Sequence, residues 1–123
     1  MSSDTRELKI VDFRMPQSSE ASTPAPDRLI SGDPRQQVSN YFSDDTQQFH
    51  TGVWSSTRGK WRIQYSESEF CCLTRGRVVL ENLEGKRWEF RAGEGFVVPA
   101  GFAGTWEVVE DCTKFYAIFE ART

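Results

Sequence analysis

The segment Gly93-Glu94-Gly95-Phe96-Val97-Val98-Pro99-Ala100-Gly101-Phe102-Ala103-Gly104 decides the fold of this 123-residue chain. It sets a short apolar strand between two glycine-containing turns, and a Pro-x-Gly turn directly follows the strand. Turn-bounded strand patterns of the same kind recur over about 70 residues around it. The predicted strands are 49–54, 60–65, 70–75, 78–82, 87–90, 95–98, 105–109 and 114–119. Eight short strands without a long amphipathic helix predict an all-β, antiparallel barrel or sandwich.

The composition excludes several classes of partner. Fifteen Lys and Arg residues against 18 Asp and Glu give a formal net charge of -3, and no block of like charge indicates a phosphate-binding surface. No apolar run reaches the roughly 20 residues that span a bilayer, and the first residues lack the layout of a secretory signal. We therefore expect a cytoplasmic protein without nucleic-acid or membrane partners.

Three cysteines, two of them adjacent, argue against a disulfide framework. We expect them to be small core residues in a reducing compartment, with a reactive thiol as the alternative.

The chain divides into an N-terminal arm and one folded domain. Residues 1–26 form the predicted arm, with one possible strand at Leu8–Phe13 followed by a small, polar, proline-rich linker. Residues 27–123 form the predicted domain. Within it, residues 35–41 are compatible with either a helical turn or a short strand.

Two groups of residues match the motifs of the cupin superfamily. In the second cupin motif, Gly93, Pro99 and Gly101 stand at the expected spacing, but Gly104 occupies the histidine position and Val108 the asparagine position. The sequence thus resembles a cupin whose second motif lacks its metal ligand.

The first cupin motif is matched in the same incomplete way. Glu69 and Gly76 enclose the expected six residues, Gly59 lies a plausible distance upstream, and the two histidine positions fall within residues 63–67, where no histidine occurs.

Five segments have amino-acid sequences that resemble those of small single-domain cupins grouped with the ureidoglycine aminohydrolase cupin domain. These segments are 52–54, 59–62, 69–71, 99–102 and 104–108. That resemblance implies an RmlC-like jelly-roll β-barrel and a homodimer. The aminohydrolase itself holds its metal with histidines, whereas this chain has only His50.

Strand alternation predicts which side chains face the barrel interior, since residues two apart point to the same side. One inward set contains Trp61 and Tyr65, and matching the two motifs adds Glu69 with Cys71, and Gly104 with Trp106. Gly104 is expected to leave room, and Glu67 to reach the mouth of the cavity. The predicted ligand-binding residues are Trp61, Tyr65, Glu67, Glu69, Cys71, Gly104 and Trp106.

An aromatic lining with one carboxylate is typical of a small-ligand pocket. Glu69 is the predicted general acid or base, and Tyr65 the predicted hydrogen-bond donor to substrate. The alternative is ordinary core packing, with Glu69 hydrogen-bonded to Tyr65. No metal ligands or cofactor are assigned; a divalent metal held by Glu69, Tyr65 and Cys71 would be unusual without imidazoles.

The remaining titratable candidates are interpreted as structural. His50 is expected to be a surface or partly packed residue, and Lys60, Arg62 and Lys114 are expected to be solvated strand positions, although one at the barrel mouth would attract a small anion.

Three functions follow as hypotheses. The first is a metal-free cupin that binds a small polar metabolite. The second is a small-molecule enzyme of the ureidoglycine-aminohydrolase type, which uses Glu69 with a weakly held or unusual metal. The third is an interaction protein in which Leu8–Phe13 crosses to a partner subunit and covers a strand edge.

Overall fold

The computed structural model describes residues 8–122, and these residues form strands, turns and loops without a helix. Along this part of the chain, accordingly, no helix is suited in length and apolarity to crossing a membrane. The nine strands are β1 Glu20–Ser22, β2 Leu29–Gly32, β3 Gln36–Ser43, β4 Phe49–Ser56, β5 Gly59–Gln64, β6 Ser68–Asn82, β7 Arg87–Arg91, β8 Gly95–Val98 and β9 Ala103–Phe119.

All strand pairs are antiparallel, and the longest strand, β9, organises the sheet. One edge of β9 pairs with β4 and β5, while the other edge pairs with β6 along almost its whole length. β6 in turn pairs with β7 and β8, and β3 and β1 extend the sheet beyond β4. The curled sheet confirms the predicted all-β, antiparallel jelly-roll barrel.

Two of the strands are longer than predicted. β6 joins the predicted strands 70–75 and 78–82, and β9 joins 105–109 and 114–119. In β6 the register against β9 shifts between Leu73 and Val78, and Gly76 within this segment has a φ of 88°. A bulge of this kind bends a strand without ending it, so the glycine that looked like a turn lies inside a continuous strand.

The N-terminal segment differs from its prediction. Leu8–Phe13 is not a strand; instead the backbone N–H of Met15 donates to the carbonyl of Asp12, and the ring of Phe13 stacks on Tyr41 at 4.4 Å. The predicted linker contains β1, which pairs with β3. Residues 1–7 of the predicted arm lie outside the described residues, and the boundary at residue 26 stays a prediction.

The inner face of the barrel holds one core. Its buried members are Trp61, Cys71, Leu73, Val78, Leu80, Val98, Trp106, Val108 and Cys112. The alternation predicted for β5 and for the first half of β6 is confirmed, since Glu69, Cys71 and Leu73 are buried whereas Phe70 and Thr74 are exposed. Strand alternation therefore places the site residues of β6 inside the barrel.

The outer face of strands β3, β4, β9, β6 and β8 is unusually apolar. Alternation and register bring six large apolar side chains onto it, each between 36% and 61% exposed. We call this set the outer aromatic face: Phe42, Phe49, Phe70, Val97, Phe115 and Phe119.

Candidate functional site

A cavity of about 320 Å³ opens on the inner side of β3, β4, β5, β6 and β9. Three of the four tryptophans, Trp54, Trp61 and Trp106, line it. Aliphatic side chains from β3, β5 and β9 complete the apolar part of the wall. The polar residues of the wall are Gln36, Asn40, His50, Tyr65, Glu69, Lys114 and Tyr116.

Three polar side chains of the cavity wall and one cysteine behind them form a hydrogen-bonded cluster. The ammonium of Lys114 lies 3.0 Å from Oε2 of Glu69 and donates to Sγ of Cys71 at 3.4 Å. The hydroxyl of Tyr65 donates to Oε1 of Glu69 at 2.7 Å. Lys114 is 4% exposed and Glu69 is 6% exposed. We call Tyr65, Glu69, Cys71 and Lys114 the buried polar cluster.

Two indole rings enclose the ammonium of Lys114. Its Nζ lies 4.7 Å from the ring centroid of Trp54 and 4.4 Å from that of Trp106. The two rings meet edge to face, with centroids 5.8 Å apart. Each ring face offers a cation–π attraction of roughly 0.5–2 kcal/mol, larger where water is excluded. Lys114 is thus held by one carboxylate, one thiol and two aromatic faces.

Strand alternation in β9 explains why a lysine lies inside the barrel. The even-numbered residues of β9 are buried at Trp106, Val108, Cys112, Lys114 and Tyr116, with Glu110 as the exposed exception, while the odd-numbered Phe115 is exposed. In the register, Lys114 stands opposite Trp54 of β4 and Leu73 of β6. The expectation that Lys114 is a solvated strand position is therefore wrong. Continuing the inward set of Trp106 through one uninterrupted strand would have found it.

The Pro-x-Gly turn after β8 positions Tyr65. The backbone N–H of Tyr65 donates to the carbonyl of Phe102 at 2.9 Å, and the N–H of Gly101 donates to the carbonyl of Tyr65 at 2.8 Å. Gly101 has a φ of 94°, a conformation that favours glycine. The segment that marks the fold in the sequence thus also fixes a side chain of the site.

Burial sets the protonation states in the cluster. Burial and the negative charge of Glu69 raise the pKa of Tyr65 well above its usual value. Burial raises the pKa of the Cys71 thiol to about 12, against the opposing effect of Lys114. Burial is the largest single effect on Lys114 and disfavours its charged form, but the charge interactions and hydrogen bonds with Glu69 and Cys71 together outweigh burial and raise the pKa of the lysine. At neutral pH the cluster therefore contains a phenol, a thiol and an ammonium.

A second hydrogen-bond chain begins at Tyr116, two residues beyond Lys114 on β9, and continues into β3 and β4. The hydroxyl of Tyr116 donates to Oδ1 of Asn40 at 2.8 Å, and Nδ2 of Asn40 donates to Oγ of Ser43 at 2.9 Å. Nδ1 of His50 lies 2.6 Å from that hydroxyl, and Nε2 lies 3.1 Å from the carbonyl of Gln47. The carbonyl can only accept, so Nε2 carries the hydrogen. His50 is partly packed, as expected, and both of its ring nitrogens are occupied.

This donor set does not fit a divalent metal. Among residues 8–122 no group of three or more His, Cys, Asp or Glu side chains is placed to hold one. Both oxygens of Glu69 already have partners, and the ammonium of Lys114 would repel a second cation at the same carboxylate. At Gly104, where the cupin pattern has a histidine, a Cβ would collide with the carbonyl oxygen of Glu81 and lie 3.0 Å from Cα of Asn82.

The structure brings four of the predicted site residues to the cavity wall: Trp61, Tyr65, Glu69 and Trp106. Cys71 lies directly behind them, in contact with Lys114. The other two predicted residues, Glu67 and Gly104, do not line the cavity. Glu67 is half-buried, and burial together with the charges of Glu120 and Glu69 raises its pKa. Gly104 provides room for the β6 backbone, not for a ligand.

The sequence interpretation missed the residues contributed by β3, β4 and the end of β9. Trp54 lies in a predicted strand, and the structure buries its even-numbered neighbours Gly52 and Ser56. Strand alternation, applied to β4, would have placed Trp54 on the same inward face. Asn40 and Gln36 lie in residues 35–41, whose sequence is compatible with either a helical turn or a short strand. Nothing local in that segment indicated which side chains would face inward.

Comparison with known proteins identifies the fold family. A family model described as the EutQ-like cupin domain matches residues 43–116. A Pseudomonas syringae pv. tomato DC3000 protein of unknown function, from the DUF861 family, is 28% identical with a TM-score of 0.77. That match covers 88% of this chain but 46% of the other, so the chain spans about half the length of that relative. No curated protein matches the chain.

Two solved structures of lower identity share the fold. The EutQ protein of Clostridium difficile is 16% identical with a TM-score of 0.64, covering 81% of this chain and 74% of that one. A putative ethanolamine utilization protein from Salmonella typhimurium LT2 is 13% identical with a TM-score of 0.65, covering 88% and 98%. The family match extends over more than half of the chain, which therefore belongs to the EutQ-like cupin domain family.

Proposed function

We propose that this protein binds a small polar metabolite in its aromatic cavity and does so without a metal. The observation that carries the proposal is the open volume of about 320 Å³ next to a buried ion pair. Protein cores are close-packed, and a purely structural interior would be expected to fill this space with side chains. A pocket of this size, apolar in area with a few converging polar groups, is typical of a ligand site.

Each part of the buried polar cluster has a role in this proposal. Lys114 neutralises and orients Glu69, so that the carboxylate presents a fixed face to the cavity. Tyr65 is held by the same carboxylate, and it lines the cavity. The three indoles supply contact area. A preorganised wall of this kind lowers the cost of ordering side chains when the ligand binds.

The alternative is an enzyme of the ureidoglycine-aminohydrolase type that uses Glu69, with Tyr65 as hydrogen-bond donor and a weakly held divalent metal. The protonation states support it less well. The phenol and the thiol keep their protons at neutral pH, and Lys114 is charged, so none of them is an activated nucleophile. A proton taken up by Glu69 would remove the charge that balances Lys114, so general-base action would leave the ammonium buried without its counter-ion.

A ligand screen and a metal assay separate these two functions. We expect thermal-shift screening of small metabolites to find compounds that raise the melting temperature of wild-type protein, and elemental mass spectrometry to find no stoichiometric metal. The Glu69→Gln variant, checked for a folded circular-dichroism spectrum, should show a smaller shift than wild-type protein, because the cavity loses a carboxylate acceptor. Glu107→Gln, on the half-exposed outer side of β9, is the matched control and should keep it. One metal per chain with turnover, or an undiminished shift in Glu69→Gln, would contradict the proposal.

We also propose that the outer aromatic face is covered by a second copy in a homodimer. Its six side chains expose roughly 500 Å² of apolar area, taking about 200 Å² for a fully exposed aromatic side chain, and exposed apolar area of that order is often functional. None of the six is charged, so two copies of the face can meet about a two-fold axis without bringing like charges of these side chains together. Light scattering should give twice the 14.1 kDa of one chain, and Phe70→Glu should give the single-chain mass.

Two further expectations belong to this proposal. The three cysteines are unpaired in the structure, which supports a reducing, cytoplasmic environment.

Leu8 and Ile10 of the N-terminal arm are each 94% exposed, so their side chains are available for contact with a partner subunit. An exchange of the arm between subunits stays a prediction. Removal of residues 1–26 without a change in oligomeric mass would argue against that exchange.

A further inference from the structure

The cavity wall carries no net charge. Among its lining residues, Glu69 and Lys114 hold the full charges, and they neutralise each other at 3.0 Å. His50 also lines the cavity, and both of its ring nitrogens already have partners. A charged ligand would therefore leave water without gaining an opposite charge in the cavity, and such a transfer is costly.

The strongest hydrogen-bond donors of the wall are already used. Lys114 donates to Glu69 and Cys71, and the faces of Trp54 and Trp106 cover the ammonium. The hydroxyl of Tyr65 donates within the buried polar cluster. An anion entering this cavity would find no cationic donor to receive it, although the lysine suggests at first sight an anion site.

The other donors of the cavity wall are neutral. The hydroxyl of Tyr116 donates to Asn40, and Nε2 of His50 donates to a backbone carbonyl. Asn40 uses one of its two amide hydrogens on Ser43, while the amide of Gln36 accepts from Ser22 and keeps its own donors. The donors left on the lining residues are thus neutral: the amide groups at the β3 side of the cavity, and the indole N–H of Trp106, which is buried without a hydrogen-bond partner.

Acceptor lone pairs, in contrast, are plentiful. The hydroxyl groups of Tyr65 and Tyr116 each donate one hydrogen bond, and their oxygens keep lone pairs that can accept. Each oxygen of Glu69 has one partner but more than one acceptor position. A ligand that fits must therefore bring its own donors. Hydroxyl groups suit best, because a hydroxyl donates to these oxygens and accepts from the β3 amides.

The volume of the cavity and its aromatic lining further restrict the class of ligand. About 320 Å³ lies at the lower end of ligand pockets and corresponds to roughly ten water molecules at about 30 Å³ each. Indole faces on the wall provide flat apolar surface for the carbon-bound hydrogens of a ring. A compact ring with outward hydroxyls matches both features.

From this balance of charge, donors and acceptors we infer that the ligand is a neutral, hydroxyl-rich molecule of five or six carbons, of the monosaccharide or cyclic polyol class. The inference rests on the proposed function, because it specifies the ligand of the same cavity. It differs from the expectation that a buried lysine serves an acidic ligand.

The test uses three probes of one ring size that differ in charge: glucose, glucuronate and glucosamine, with xylose and inositol as further neutral probes. Tryptophan emission is the readout, in a Trp88→Phe background, because Trp88 lines a separate cavity with Phe102 and would add signal unrelated to the site. We expect at least one neutral probe to bind about tenfold or more tightly than both charged probes. Tighter binding of glucuronate or glucosamine would overturn the inference and leave the proposed function standing. No response to any probe, together with no stabilising compound in the thermal-shift screen, would overturn both.

Two variants connect the result to the residues. Tyr65→Phe keeps the ring but removes an acceptor, and it should weaken the neutral probe by about tenfold. The double variant Glu69→Gln with Lys114→Met removes both charges together, and it should keep the preference for neutral over charged probes. Loss of that preference in a folded double variant would overturn the inference, because the selectivity would then come from a charge and not from the neutral wall.

Discussion

Replacing Lys114 by methionine keeps a flexible apolar stem but leaves the carboxylate of Glu69 buried without its cation. The ammonium and the carboxylate lie 3.0 Å apart, and the two residues are 4% and 6% exposed. At an effective dielectric constant of about 20, charges at this distance attract by about 5–6 kcal/mol. The desolvation of both groups offsets much of that attraction, so the pair itself contributes little net stability.

The single variant nevertheless suffers a large loss, because one charge stays behind. Removal of one partner from a buried pair typically costs about 3–5 kcal/mol, and the loss of contact with Trp54 and Trp106 acts in the same direction. We expect the free energy of unfolding of Lys114→Met to fall by about 3–5 kcal/mol. The Lys114→Met, Glu69→Gln double variant should lose only about 0–2 kcal/mol, since no unpaired charge remains.

Urea denaturation of the wild type, both single variants and the double variant gives a double-mutant cycle. The cycle measures the coupling energy between Lys114 and Glu69. A stability near 5–15 kcal/mol is usual for a domain of this size, so the single variant is expected to be marginal but the double variant measurable. The reasoning is refuted if Lys114→Met loses less than about 1 kcal/mol, or if the double variant is less stable than either single variant.

Three further predictions follow from buried groups. In urea denaturation, the free energy of unfolding of Gly104→Ala should fall by about 1–3 kcal/mol, because the new Cβ collides with the backbone of β6. The control Gly95→Ala should lose less than about 1 kcal/mol, because its Cβ would lie 3.3 Å from the ring of Phe70, which can move. In thiol titration with Ellman's reagent at pH 8, native protein should expose only Cys72 rapidly, since Cys71 and Cys112 are buried and burial raises their pKa values to about 12 and 11; three fast thiols would contradict the packing. Stability should fall as the pH rises above 9, because the thiols ionise first in the unfolded chain, by up to about 1.4 kcal/mol per thiol and pH unit. Replacing both buried cysteines by alanine should flatten that decline, and an unchanged profile would exclude the thiols as its cause.

Local turn chemistry explains which parts of the fold were predictable. Glycines at Gly93 and Gly101 adopt φ values of 93° and 94°, and the strand between them, β8, has the predicted bounds Gly95–Val98. Such turns depend on a few neighbouring residues, so the sequence pattern indicates them directly. β1 carries no comparable signal, because its three residues are exposed and become a strand only by pairing with β3.

The same contrast applies to the candidate site. Glu69 and Tyr65 were found through the cupin spacing and strand alternation, and their hydrogen bond was anticipated as an alternative to catalysis. Lys114 was missed because β9 was divided into two predicted strands, which interrupted the alternation that places it inward. As a charged residue, Lys114 was also assigned to solvent by its type, although Glu69 on the neighbouring strand β6 reverses that preference.

The sequence by itself determined the all-β barrel and the absence of the cupin histidines, because strand periodicity, turn residues and motif spacing are local properties of the chain. Only the tertiary structure decided how the interior is balanced electrostatically. Lys114 and Glu69 are 45 residues apart in the chain and meet because β6 and β9 pair in register. The energy of a buried charge depends on what lies within a few ångströms of it in space, and no pattern along one strand specifies that neighbour.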